Sequence, residues 1–317
     1  MIADTAPGAA TIRSRDDSYI DGQWVASTSA ERCEVIDPST EEVIGSVPAG
    51  SAADIDVAID AARAAFDGWA ALTPVDRAAV FGPLGPLIDA HAGEFIDLIV
   101  AEEGIPFSWA RDVHVGRLST LVPHDRVDAA AQIAADASRA YVPGPPADPD
   151  TRLGPVANAN QYRSVLGFIR AGIDEGATLV CGGPERPAGL DRGYFVQPTV
   201  FSNVDPDMTI AQHEIFGPVL SIIGYTDTDD AIRIANNSRF GLSGAVWASS
   251  DEEAVRVARQ VRTGQVQINT GVFNGAAPFG GFKKSGTGRE NGRYGMLEFT
   301  EVKSVQLPAD SPLRVDW

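Results

Sequence analysis

Cysteine is scarce: the 317-residue chain holds two, Cys33 and Cys181, far apart and outside any CxxC pair. That excludes a disulfide framework and a paired-thiol redox motif. Histidine is almost as rare. His91, His114, His124 and His213 show no HExxH or other metal-binding spacing, so a metal centre is not expected. No GxSxG elbow occurs, which leaves a Ser–His–Asp arrangement without support. No apolar run reaches the ~18 residues that a membrane-spanning helix needs. The opening MIADTAPGAATIRSRDDS lacks the apolar stretch of a secretory signal. Basic residues are outnumbered, 25 against 43 acids, for a formal charge of -18. A chain of that sign repels nucleic acid and anionic lipid, and no basic run interrupts it. No internal repeat or low-complexity tract is visible. These absences lead us to expect a soluble, reduced, cytoplasmic protein with neither nucleic acid nor membrane as partner.

What remains is ordinary globular material, 44% hydrophobic and 21% charged, long enough for about two domains. Residues 1 to 17 are small, polar and expected to be loose. Tyr19 to Val25 reads as a hairpin turning at Asp21-Gly22. A second extended pair, Glu34 to Ile36 and Val43 to Val47, brackets Asp37-Pro38-Ser39-Thr40. Residues 51 to 71 form a helix capped by Ser51 with Asp54 three positions on. Its apolar face is Ile55, Ala58, Ile59, Ala62, Phe66 and Trp69. Another helix starts at Thr73-Pro74 and heads for Ile99. The Gly82-Pro83-Leu84-Gly85-Pro86 string should break it, because an interior proline costs ~3 kcal/mol. A short strand is expected at 118 to 123, an alanine-rich helix at 125 to 140, and a loop at 142 to 155.

The remaining sequence alternates. Helix 158 to 175 precedes a strand at 178 to 180. Strand 219 to 225 precedes helix 229 to 237. Strand 242 to 247, helix 251 to 261 and strand 266 to 269 follow. Strands separated by helices of this length predict right-handed crossovers and a largely parallel sheet in an α/β fold. Residues 299 to 307, FTEVKSVQL, alternate like an exposed or intermolecular strand.

Two blocks resemble the aldehyde dehydrogenase superfamily. The first is 19 to 112, with YIDGQWV, DPSTEEVIGSVPAGSAADIDVAIDAARAAF and the helix running into EEGIP. The second, 118 to 307, is more specific. It holds LVPHDRVD, DPDTRLGPV, GYFVQPTVF, EIFGPVLS at 214 to 221, YTDTDDAIRIANNSRFGLSGAVW, GQVQIN and PFGGFKKSGTGRENGRYGMLEFTEVKSV. The resemblance implies a partial aldehyde dehydrogenase fold. Its parts would be a flexible N-terminus (1–17), a remnant of the dinucleotide-binding domain (18–117), a catalytic-type α/β domain (118–298) and an oligomerisation strand with its tail (299–317). It also implies NAD or NADP as the family's cofactor. Glu214 would match the residue holding the nicotinamide ribose hydroxyls, since one carboxylate accepts from two vicinal hydroxyls. Phe216 would match the ring packed beside the nicotinamide. Strand 299 to 307 would pair with a neighbouring subunit, a second copy or a full-length relative.

The family's chemistry needs a cysteine thiolate, an asparagine and a backbone N–H at the oxyanion, a glutamate that activates water, a glycine-containing dinucleotide turn and a lysine at the adenosine ribose. In the family these lie in a central block with strings such as PWN, FTGS, ELGGK and GQxC. None of those strings occurs here. LVPHDRVD instead follows GIPFSWARDVHVGRL after only Ser119-Thr120, as though an in-frame segment were lost between about Val113 and Leu118. Neither Cys33, flanked by Glu31 and Glu34, nor Cys181, ahead of Gly182-Gly183, stands where a helix N-terminus or a base would activate a thiol. Gly286-Thr287-Gly288 through Gly292 imitates a dinucleotide loop, but it follows Lys283-Lys284-Ser285 rather than an apolar strand. The sequence therefore predicts family ancestry, no catalytic residue, and apolar helix faces at 51 to 71 and 87 to 99 without the fold that covered them.

Overall fold

A computed structural model describes residues 14–111, 119–269 and 271–312. The proposed junction at Val113 to Leu118 and most of the N-terminal tail lie outside the described residues. The chain divides into two compact units, Met1–Gly224 and Tyr225–Trp317.

The first unit opens with two antiparallel hairpins. β1 (Asp17–Ile20) pairs with β2 (Gln23–Ala26) around Asp21 and Gly22, both at positive φ. β3 (Arg32–Asp37) pairs with β4 (Glu42–Pro48). Helix α1 (Ala52–Ala70) follows with the expected capping box: the Ser51 hydroxyl accepts from the Asp54 N–H and the Asp54 carboxylate accepts from the Ser51 N–H. The long second helix is broken where the Gly-Pro string predicts, into α2 (Pro74–Phe81) and α3 (Leu84–Ala90), and continues as α4 (Ala92–Glu103). Gly104 ends α4 in the left-handed conformation, with φ +73. A Cβ there would lie 2.7 Å from Pro155 Cγ and 2.8 Å from Pro38 Cγ, so only glycine fits this crossing. Short α5 (Phe107–Arg111) follows.

The second half of this unit is a layered α/β body. It runs β5 (Ser119–Pro123), α6 (Val127–Ser138), α7 (Ala159–Asp174), β6 (Thr178–Cys181), β7 (Thr199–Ser202), α8 (Thr209–Gln212) and β8 (Val219–Tyr225). The sheet order is β5-β8-β7-β6. β7 and β8 are parallel, whereas β6 and β7 are antiparallel. The sheet is therefore mixed, because β6 reaches β7 by a loop rather than a helical crossover. Successive β7 side chains point to opposite faces. Val200 joins Val127, Ala131 and Ile222 under α6. Phe201 lies near Gly172 of α7 on the other side, within the space a Cβ would occupy. Helices on both faces explain why all four β7 residues are buried.

The second unit contains α9 (Thr228–Asn236), β9 (Ser243–Val246), α10 (Asp251–Ala258), β10 (Gln265–Ile268) and α11 (Gly292–Leu297). β9 and β10 pair in parallel across the α10 crossover. Residues 299 to 307 pair with no strand among the described residues. Phe299 and Val302 are each 92% exposed. No helix among the described residues is long and apolar enough to cross a membrane.

Candidate functional site

The loop carrying Glu214 and Phe216 is built between α8 and β8. Ile215 is the anchor, 3% exposed. Gly217 lets the backbone pass α7: a Cβ would fall 2.7 Å from Val165 Cγ2. Phe216 adopts φ +56, a strained value for an aromatic residue. Gln161 holds it there. Its Nε2 donates to the Phe216 carbonyl at 2.6 Å while its Oε1 accepts from the Ala157 N–H at 3.3 Å. Asn158 in turn caps α7 by accepting from the Gln161 N–H. The Asn158/Gln161 spacing is that of a helix start and is readable as such. Its reach across to Phe216 is non-local and leaves no mark in sequence.

The clamp presents Glu214 and Phe216 outward, on either side of buried Ile215. Glu214 is exposed, and its carboxylate meets no donor among the described residues. Phe216 is 64% exposed. His213 beside them is exposed too, its ring 5.9 Å from that of Phe168. Such a loop can offer an acceptor and a ring face, but it holds no nucleophile and no general base in contact with one.

The thiols are elsewhere. Cys33 is exposed on β3. Cys181 closes β6, packed against the Val127–Ile222 cluster with its Sγ 3.4 Å from Ser138 Oγ. The Gly286–Gly292 segment follows a short 3-10 turn, Lys283–Ser285, and leads into six-residue α11. Lys283 Nζ donates to the Asn236 and Ser238 carbonyls. Burial, then the charge of Arg262, pulls this amine below the usual lysine range. No group of His, Cys, Asp and Glu that could hold a metal occurs among the described residues.

A dinucleotide requires a strand, a glycine turn and an open helix N-terminus. The turns from β5 to α6, β7 to α8, β8 to α9 and β9 to α10 contain no glycine. Gly50 does precede α1, but the Asp54 carboxylate occupies that N-terminus and repels a phosphate. The described residues do not fit the pyrophosphate half of NAD or NADP.

The model of the aldehyde dehydrogenase family matches twice, over residues 24–122 and 119–305. The chain belongs to the aldehyde dehydrogenase family. It is 50% identical over 185 residues to 3-succinoylsemialdehyde-pyridine dehydrogenase of a Pseudomonas species. That stretch is 58% of this chain and 39% of the relative, so the chain spans well under half of the curated relative it matches. Aldehyde dehydrogenase C of Pseudomonas syringae, a variant solved with NAD+ and octanal, superposes with a TM-score of 0.90 at 28% identity. The alignment covers 93% of this chain and 98% of that one. An aldehyde dehydrogenase of Mycobacterium tuberculosis solved with NAD+ gives 0.90 at 27% identity, covering 95% and 99%.

Proposed function

We propose that this aldehyde dehydrogenase family member does not carry out NAD(P)-dependent aldehyde oxidation and serves as a non-catalytic, self-associating or subunit-docking chain. The observation that carries this reading is a join within the chain. LVPHDRVD follows the N-terminal block with none of the strings that hold the family's nucleophile, oxyanion donor, base and dinucleotide turn. Loss of a nucleophile alone costs several orders of magnitude in rate and leaves only binding effects. Here the binding cradle is missing as well.

Glu214 and Phe216 sit exposed on one loop either side of buried Ile215, and by the family resemblance that loop would face the cofactor. They are the two residues through which this chain would meet the nicotinamide end of NAD or NADP. The test is titration calorimetry of the purified chain with each dinucleotide. No heat beyond dilution is expected at millimolar ligand. Saturable binding of either one, abolished by Glu214→Ala, would overturn the reading. Residues 299 to 307, which pair with no strand among the described residues and leave Phe299 and Val302 each 92% exposed, support docking on a second copy or on a full-length relative.

A further inference from the structure

Helices α1, α2 and α3 of the first unit have no buried residue. Along α1, Ile55, Ile59, Phe66 and Trp69 are 58%, 49%, 65% and 40% exposed, and at helical spacing they form one stripe with Ala62 at its middle. The stripe continues onto α2 where Trp69 meets Phe81 edge to face at 6.0 Å. Phe66, Trp69 and Phe81 alone leave about 300 Å2 of ring surface in water, at ~150–250 Å2 per aromatic side chain. With Ile55 and Ile59 of α1 and with Val75, Val80, Leu84 and Leu87 of α2 and α3, 77%, 60%, 47% and 57% exposed, the exposed apolar area of the three helices is comparable to the ~800 Å2 per partner of a stable interface, about half of it on the α1 stripe.

The order of side-chain sizes indicates what covers it. Residues equidistant from Ala62 are complementary: Phe66 falls opposite half-buried Ala58, Ile59 opposite Ala65, and Trp69 opposite Ile55. An antiparallel pair of identical helices about a two-fold axis brings such residues together. Alanine at the axis lets the two backbones approach closely, and each large side chain meets a smaller one. On the flank, Arg63 comes level with Asp60 of the second copy within one residue's rise, ~1.5 Å. Asp56 and Asp67 also come level, so the apolar stripe rather than the flank carries the affinity.

We infer that α1 is a homodimerisation helix, and that a second copy of this chain covers its Ile55–Ala62–Trp69 stripe in an antiparallel contact centred on Ala62. This deepens the non-catalytic reading, because the stripe is free only if no dinucleotide domain covers it.

The test uses the full chain and size exclusion with light scattering. The native chain and Ala62→Ser are expected at the mass of two copies. Ala62→Glu, an exposed change that leaves the helical circular dichroism intact, should shift the chain to one copy by raising the dimer Kd on the order of tenfold or more, since two carboxylates would be buried at the axis. In a Cys33→Ser background, Ala62→Cys should form a disulfide-linked dimer with oxidised glutathione. Asp67→Cys should not, because its two copies lie ~15 Å apart along the helix axis. A monomeric or polydisperse native chain, a dimer indifferent to Ala62→Glu, or equal cross-linking by both cysteine variants would overturn the proposal. Those results would leave the loss of catalysis standing. Aldehyde turnover by the same preparation would instead remove the reading on which the inference rests.

Discussion

The Asp54 carboxylate shows how much one side chain fixes locally. It accepts from Ser27 Oγ at 2.6 Å, Thr28 N at 2.9 Å, Thr28 Oγ1 at 2.9 Å and Ser51 N at 2.8 Å. These bonds, the one from the Ser27 hydroxyl foremost, hold its carboxyl well below the usual carboxylate range. A depressed folded-state pKa adds stability that is present above the unfolded value and is lost as pH falls toward the folded one. Asp54→Asn should therefore lower the urea midpoint at pH 7, with the deficit shrinking once pH drops through about 4 to 3. An unchanged midpoint at pH 7 would mean that the node adds nothing. The capping half of this node was legible, since Ser51 and Asp54 have capping-box spacing. The bonds from Ser27 and Thr28 were not, because they cross more than twenty residues of chain. The same limit hid the bond from Gln161 to Phe216. Glu214 and Phe216 themselves were readable only through the resemblance, as a lone loop acid and a lone ring carry no pattern.

Among the elements, those with local punctuation were the readable ones. Asp21-Gly22 marks the first hairpin, and Gly82-Pro83 marks the break between α2 and α3. Strand β7 was missed because Thr199–Ser202 is four residues long and buried on both faces, so it shows no alternation. Yet β7 is the centre of the first unit's core. Phe201 is 0% exposed, and Phe201→Ala should cost roughly 3–5 kcal/mol in denaturant unfolding. A loss below about 1 kcal/mol would show that the α7 face of the sheet is not packed as described. Helix α1 teaches the converse lesson. Its 3.6-residue pattern correctly names Ile55, Ile59, Phe66 and Trp69 as one face, but periodicity states which face seeks cover and not what supplies it. Residues 299 to 307 are alike in this respect. Their alternation reads as a strand, yet they pair with none among the described residues.

At the scale of the whole molecule, the N-terminal block is held by residues of the later block rather than standing alone. The Tyr194 N–H donates to the Pro38 carbonyl at 2.9 Å, and the Gly193 N–H donates to Glu41 Oε1 at 2.8 Å. Arg192 pairs with Glu42 at 3.1 Å. These contacts give the β3–β4 hairpin and the Gly104 crossing a scaffold within the first unit, independent of any dinucleotide domain. A chain can therefore keep the family fold over most of its length while its middle carries none of the family's catalytic strings. That separation of fold from chemistry is the central claim. Its most direct test is NADH or NADPH formation by the purified chain with NAD or NADP and a panel of aliphatic, aromatic and semialdehyde substrates. The account predicts no rate above the enzyme-free blank, whereas steady turnover proportional to protein concentration would contradict it.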